Sequence, residues 1–205
     1  MKKYLLAVMA ACAVFTTAAN AASFQANPGR CNDGDPNCWM VTIEGKINPG
    51  DDEVFTRVTK KVPDVSDDVR VVVVLESPGG NFDAGMSIAR QVRDKRYSTG
   101  ANKLCTSICA VIWLSGNGCF YLKESAIGFH GVFTHYVDKN GNHVKGTPYW
   151  VPSGSNAVLG AWLAELGVPM STIELFTSPN ADSMYWLKTK NLKALGINAT
   201  RLGDN

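Results

Sequence analysis

The chain has 205 residues, of which 45% are hydrophobic, and it carries 20 lysines and arginines against 18 acidic residues. This near balance of charge and the lack of a basic stripe argue against a nucleic-acid-binding protein. The length suits one domain with a sizeable hydrophobic core.

The N-terminal segment is typical of a secretory signal peptide. Lys2 and its neighbour give a positive start, residues 4–15 are apolar, and Ala19-Asn20-Ala21 is a small-x-small cleavage site. The apolar part is about 12 residues, against the roughly 20 that a membrane helix needs. We therefore predict a signal peptide over 1–21, no membrane span in the mature chain, and a periplasmic or secreted location. A lipoprotein signal at Cys12 is a weaker alternative, because the usual leading leucine is missing.

Signal cleavage would leave 205 − 21 = 184 residues and five of the six cysteines. In an oxidising compartment, Cys31 and Cys38 are expected to form a disulfide around the short loop between them. Cys119 is expected to pair with Cys105 or Cys109, which leaves one thiol over.

The rest of the chain alternates between strand and helix patterns, which predicts an α/β fold in a single domain over 22–205. The continuous apolar run at 71–75 indicates a strand buried on both faces, as in a parallel sheet flanked by helices. Strands are predicted at 39–47, 71–75, 119–122 and 126–130, and helices at 51–61, 83–93, 105–114, 156–166 and 190–195.

Ser77-Pro78-Gly79-Gly80 follows the apolar run directly and is the most informative motif of the chain. Two consecutive glycines at a strand end leave backbone N–H groups with no side chain to block an incoming carbonyl oxygen. The motif therefore predicts an oxyanion hole at Gly79 and Gly80.

A serine and a histidine follow in an order that suits nucleophilic catalysis. Ser107 lies at the head of the apolar stretch 105–114, and His130 ends a short apolar strand. A serine hydroxyl needs a base within hydrogen-bond reach, and the N–H of Ile108 at the helix start would face a developing oxyanion. In the simpler alternatives, Ser107 only caps a buried helix and His130 is a core residue.

Residues 131–155 are rich in Gly, Pro, Asn and aromatic residues and are interpreted as a surface excursion. Asn140-Gly141 predicts a hairpin that sets Asp138 opposite His143. An ion pair is a simpler interpretation of these two residues than a metal site with His135, so we predict no metal. No cofactor is predicted either, since the glycines match neither phosphate-binding pattern.

The segment Ser77-Pro78-Gly79-Gly80-Asn81-Phe82-Asp83-Ala84-Gly85-Met86-Ser87-Ile88 resembles the oxyanion turn and following helix of the Clp protease proteolytic subunits (ClpP). The resemblance covers about 43–130, with a weaker echo at 182–197. The chain resembles more closely still a secreted, uncharacterised branch of the ClpP/crotonase superfamily, in which cysteines flank the serine.

This resemblance implies a ClpP/crotonase-like fold with Ser107 as nucleophile, His130 as general base, and Gly79, Gly80 and Ile108 as the oxyanion hole. The third catalytic residue has no matching aspartate. Counting back from Gly196 gives Met184, and the nearby Asp182 is carried over instead.

Three functions remain from different classes. The first is a secreted serine peptidase that cuts a peptide or protein substrate without ATP; a Ser–Lys dyad using Lys145 is a variant of it. The second is a non-catalytic binding or scaffold protein with the same fold. The third, an acyl-CoA enzyme of the crotonase type, ranks last because CoA esters are not expected outside the cytoplasm. Relatives form rings or stacked trimers, which implies a homo-oligomer.

Overall fold

One mostly parallel sheet organises the part of the chain that the computed structural model describes, namely residues 21–29, 37–134, 136, 138–139, 144–145, 147, 149–179 and 183–203. Its eight strands are β1 (Ser23–Gly29), β2 (Cys38–Glu44), β3 (Arg70–Ser77), β4 (Ser98–Thr106), β5 (Cys119–Leu122), β6 (Ala126–Phe129), β7 (Tyr185–Trp186) and β8 (Ala199–Leu202). The helices are α1 (Asp51–Thr59), α2 (Phe82–Asp94), α3 (Ile108–Leu114), α4 (Ser153–Glu165) and α5 (Met170–Thr177), and a 3-10 turn spans Thr189–Asn191.

The strand order is β1-β2-β3-β4-β5-β8, with β1 antiparallel to β2 and the other neighbours parallel. The long strand β4 changes partner along its length. Its first half pairs with β5, and its end, at Leu104 to Thr106, pairs with β6, which in turn pairs with β7. The carboxyl ends of β3, β4 and β6 therefore meet at one edge of the sheet.

Strand β3 shows how the sheet is covered. Val71, Val73 and Leu75 are fully buried, whereas Val72 and Val74 on the other face are only partly buried. The prediction that this strand is buried on both faces is therefore wrong. Helix α2 packs against α1 and α3, and together with the sheet they enclose the core.

Helix α3 is central to that core, and all seven of its residues are buried. Trp113 anchors it, because its Nε1 donates to the Phe120 carbonyl at 2.7 Å and its own carbonyl accepts from Thr99 Oγ1 at 2.6 Å. No helix in the described part of the chain is long and apolar enough to cross a membrane.

Two of the predicted helices differ most from the structure. The helix predicted at 105–114 begins at Ile108, because Cys105 pairs with Ser77 of β3 and Ile127 of β6 as part of strand β4. The helix predicted at 190–195 contains only a 3-10 turn at its start. Strands β1, β4, β7 and β8 and helix α5 were not predicted. The hairpin expected around residues 140–141 lies outside the described residues.

Candidate active site

The glycine turn after β3 is held tightly against the backbone at Ile47. Gly79 and Gly80 have φ values of 88° and 144°, which favour glycine. The Gly79 carbonyl accepts from the Ile47 N–H at 2.9 Å, and the Ile47 carbonyl accepts from the Asn81 N–H at 2.8 Å. A Cβ on Gly80 would lie 2.0 Å from the Ile47 oxygen, so only glycine fits this position.

Asn81 ends the turn and begins helix α2. Its Oδ1 accepts from the Ala84 N–H at 2.9 Å, which caps the helix. The next turn of α2 lies directly on the start of α3, because a Cβ on Gly85 would lie 2.1 Å from Ile108 Cγ1. This packing fixes the glycine turn relative to the serine that precedes Ile108.

Ser107 forms the sharp connection between β4 and α3. Its φ is 59°, one of three positive values at non-glycine residues in the described chain. Such a conformation costs about 1–3 kcal/mol and is concentrated at functional sites. Its N–H donates to the Gly128 carbonyl at 2.9 Å, which ties the connection to β6.

The Ser107 side chain is not a helix cap. It stands at the N-cap position of α3, but its hydroxyl makes no capping hydrogen bond, in contrast to Asn81 at the start of α2. The simpler hypothesis that this serine only caps a buried helix is therefore wrong. Ser107 is half-buried, and its hydroxyl makes no hydrogen bond with any residue that the structure describes.

A disulfide joins the cysteines on either side of this serine. Cys105 and Cys109 are bonded across it, with their Cα atoms 5.3 Å apart. The expectation that Cys119 pairs with one of them is wrong: Cys119 is a buried free thiol, and burial raises its pKa. Cys38 is disulfide-bonded, but Cys31 lies outside the described residues, so that pairing stays a prediction.

Two of the three expected oxyanion donors are available. The Gly79 N–H already donates to Ser77 Oγ at 3.0 Å, and Gly79 does not line the cleft beside Ser107. Gly80 and Ile108 both line that cleft, and in the described part of the chain neither N–H donates a hydrogen bond. These two N–H groups can therefore receive a developing negative charge.

His130 lies just after β6 and faces the same cleft as Ser107. Its Nδ1 is 2.7 Å from the carbonyl oxygen of Gly131, and its ring lies 4.9 Å from that of Phe133. Since a carbonyl only accepts, this contact places a proton on Nδ1, and in the neutral ring Nε2 then keeps its lone pair. Within the described residues, no hydrogen bond joins this ring to the Ser107 hydroxyl.

The cleft that contains these groups, called the Ser107 cleft below, has a volume of about 630 Å³. Its walls come from the segment before α1, the glycine turn, the starts of α2 and α3, the chain after β6, and α4. Both apolar and polar side chains line it, and Lys46 and Asp83 are the lysine and the only carboxylate among the described residues that line it. A volume of this size is within the usual range of ligand-binding clefts.

Other predicted residues fall outside the described chain. Asp182 is one of them, so its role as third catalytic residue stays a prediction. His135 and His143 are two more. Among the described residues, no group of three or more His, Cys, Asp or Glu side chains could hold a metal ion.

No protein family and no curated protein matches the chain by sequence. Solved structures do match. ClpP1 from Listeria monocytogenes superimposes with a TM-score of 0.57 at 18% identity, covering 81% of this chain and 92% of that one. The protein has a ClpP-like fold.

Two further solved structures have the same fold. The ClpP catalytic domain from Plasmodium falciparum gives a TM-score of 0.59 at 16% identity, covering 82% of this chain and 86% of that one. The membrane-bound stomatin-specific protease 1510-N gives 0.57 at 17% identity, with 80% and 78% covered. The prediction of a ClpP-like, single-domain α/β fold is confirmed.

Proposed function

We propose that the protein is a serine peptidase in which Ser107 is the nucleophile and His130 the general base. The observation that carries the proposal is the conformation of Ser107. Ser107, which has a positive φ and a hydroxyl that does not cap α3, faces the same cleft as His130 and as two backbone N–H groups that donate no hydrogen bond within the described chain. Each of these features supports nucleophilic catalysis, and a purely structural serine would need none of them.

The chemistry follows from these positions. His130 Nε2 takes the proton of the Ser107 hydroxyl as its oxygen attacks the substrate carbonyl carbon, and the oxyanion accepts from the N–H groups of Gly80 and Ile108. The C–N bond then breaks, and the amine leaves with the proton from the imidazolium. Water repeats the sequence to release the acyl group. The Ser107–His130 hydrogen bond is expected to form in the substrate complex, since catalytic hydrogen bonds often tighten only when substrate binds.

The proposed substrate is a peptide or protein, cleaved without ATP in the periplasm or outside the cell. The signal-peptide pattern of residues 1–21 supports this location, and so does the Cys105–Cys109 disulfide, because disulfides persist in oxidising compartments. The exported protein should begin at Ala22. Intact mass of the exported chain tests this, and a retained Met1 or a lipid on Cys12 would contradict it.

A homo-oligomer is part of the same proposal. The support is the ClpP-like fold together with the resemblance noted in the sequence. Light scattering of the mature protein should give a mass that is a multiple of the protomer's, and a monomeric mass would remove this part of the proposal.

A second candidate is a non-catalytic protein that uses the Ser107 cleft to bind a partner. It is favoured by one observation, the missing hydrogen bond between Ser107 and His130 in the described structure. The two candidates differ in a simple measurement, which is turnover.

The test is cleavage of a broad peptide library without nucleotide. Wild type is expected to cut, and Ser107→Ala is expected to lose all cleavage. The matched control is Ser155→Ala, because Ser155 lines the same cleft on α4. Folded wild-type protein that cuts no peptide would contradict the peptidase and favour the binding protein.

A further inference from the structure

The peptide bond between Gly131 and Val132 connects His130 to a side chain on helix α4. Its carbonyl oxygen lies 2.7 Å from His130 Nδ1, and its N–H donates to Asn156 Oδ1 at 2.8 Å. Because a trans peptide is planar, its N–H and C=O point in opposite directions. Holding the N–H at Asn156 therefore aims the carbonyl at the histidine.

Asn156 is itself fixed in one orientation. Its Nδ2 donates to the Val132 carbonyl at 2.8 Å and to the Pro152 carbonyl at 3.2 Å. Only the amide nitrogen can donate to carbonyls, so Oδ1 must be the atom that faces the Val132 N–H. The hydrogen bonds of the Asn156 side chain thus join Val132, in the chain that follows His130, to Pro152 at the start of α4.

The same segment is also held from the opposite side. The Gly131 N–H donates to the Pro179 carbonyl at 3.2 Å, just beyond the end of α5. A Cβ on Gly131 would lie 2.5 Å from the Thr177 oxygen and 3.2 Å from Asn156 Oδ1. The segment is therefore clamped between α4 and the end of α5, and it has little freedom to rotate.

We propose that Asn156 is a positioning residue that orients His130 through the Gly131–Val132 peptide. The carbonyl does here what a carboxylate does in a Ser-His-Asp triad: it keeps the proton on Nδ1 and directs Nε2 towards the serine. Among the described residues, the base is thus oriented by a neutral carbonyl and not by a charged partner. This inference rests on the proposed function, but the imidazole geometry can be tested separately from catalysis.

The test combines histidine nitrogen NMR with labelling by a fluorophosphonate. In ¹⁵N-histidine-labelled wild type with a neutral ring, His130 should show the Nδ1–H tautomer, assigned by comparison with His130→Gln. Asn156→Ala should shift this signal towards the Nε2–H tautomer. It should also lower the labelling rate of Ser107 by about tenfold or more, since small errors of position are costly in catalysis.

Two further variants separate positioning from general stability. Asn156→Asp keeps an acceptor for the Val132 N–H but sets a second carboxylate oxygen against the Val132 and Pro152 carbonyls, so it should recover only part of the Nδ1–H signal that Asn156→Ala loses. Thr172→Val removes a buried side-chain hydrogen bond to the Leu195 carbonyl, away from the Ser107 cleft. It should lower the stability but leave the His130 tautomer unchanged.

An Nε2–H tautomer in wild type would overturn the inference, and so would an Asn156→Ala variant with unchanged tautomer and labelling. If wild type shows the Nδ1–H tautomer and Asn156→Ala loses it, but Ser107 is never labelled, the positioning role holds and the proposed peptidase function fails.

Discussion

Gly79→Ala is the substitution whose effect the structure defines best. Gly79 is buried, has a φ of 88°, and lies against the serine: a Cβ there would stand 2.7 Å from Ser107 Cβ and 2.7 Å from the Thr106 oxygen. Gly167 is the matched control. It has a φ of 81°, is not buried, and a Cβ on it would have no neighbouring atom within 4 Å.

Both variants lose stability because alanine must adopt a positive φ, and Gly79→Ala also suffers a steric clash. A positive φ costs an alanine roughly 1–2 kcal/mol, which is all that Gly167→Ala should lose. Gly79→Ala adds a clash with backbone, worth a further 1–3 kcal/mol or so, which gives about 2–5 kcal/mol in total. Restoring ordinary contact at about 3.4 Å would move Ser107 by about 3.4 − 2.7 = 0.7 Å. A shift of this size should slow its acylation about tenfold to a hundredfold.

Urea denaturation gives the free energy of unfolding of both variants, and fluorophosphonate labelling gives the reactivity of Ser107. Gly167→Ala should label at the wild-type rate despite its loss of stability. If folded Gly79→Ala also labels at the wild-type rate, the contact between the glycine turn and the serine does not control the nucleophile, and the site geometry described above is wrong.

Three further predictions concern the cysteines and Asp182. Replacing Cys105 and Cys109 by serine should lower the free energy of unfolding by about 2 kcal/mol, because the bond closes a short loop; equal stability without reductant would contradict this. Burial raises the pKa of Cys119, so the folded chain keeps a proton that the unfolded thiol loses near pH 8.5. The free energy of unfolding should therefore fall as the pH rises from about 7.5 to about 9.5. Over the same pH range, the denaturation midpoint of Cys119→Ala should fall less than that of wild type. Asp182→Asn should lower kcat by less than about tenfold if the Gly131 carbonyl holds the histidine, whereas a loss near 10⁴ would assign that role to the carboxylate.

The sequence identified the glycine turn because its signals are local. An apolar strand, two glycines and a capping asparagine stand within a dozen residues, and strand β3 and helix α2 lie close to where they were predicted. The order of Ser107 and His130 also sufficed to place both residues on one cleft, since parallel strands bring their carboxyl ends together.

The remaining details depend on contacts between distant residues. Cys105 and Thr106 are as compatible with an apolar helix as with a strand, and pairing with β3 and β6 decides for the strand. The occupied Gly79 N–H depends on the orientation of the Ser77 hydroxyl, which no pattern reports.

The clamp at Asn156 was missed for a similar reason. Its partners are 24 residues away in the chain, in a stretch whose composition indicates only a surface loop. The one signal in the sequence was the position of Asn156, a polar residue at the start of the helix predicted at 156–166.

Ser107 is the residue on which the proposed chemistry depends, and its reactivity as a nucleophile can be observed directly. Folded wild-type protein is treated with a fluorophosphonate, digested and analysed by mass spectrometry. The adduct should lie on Ser107, should be absent in Ser107→Ala and His130→Ala, and should persist in Ser155→Ala. Wild type that stays unlabelled, or an adduct that survives in His130→Ala at the wild-type rate, would contradict a serine nucleophile activated by this histidine.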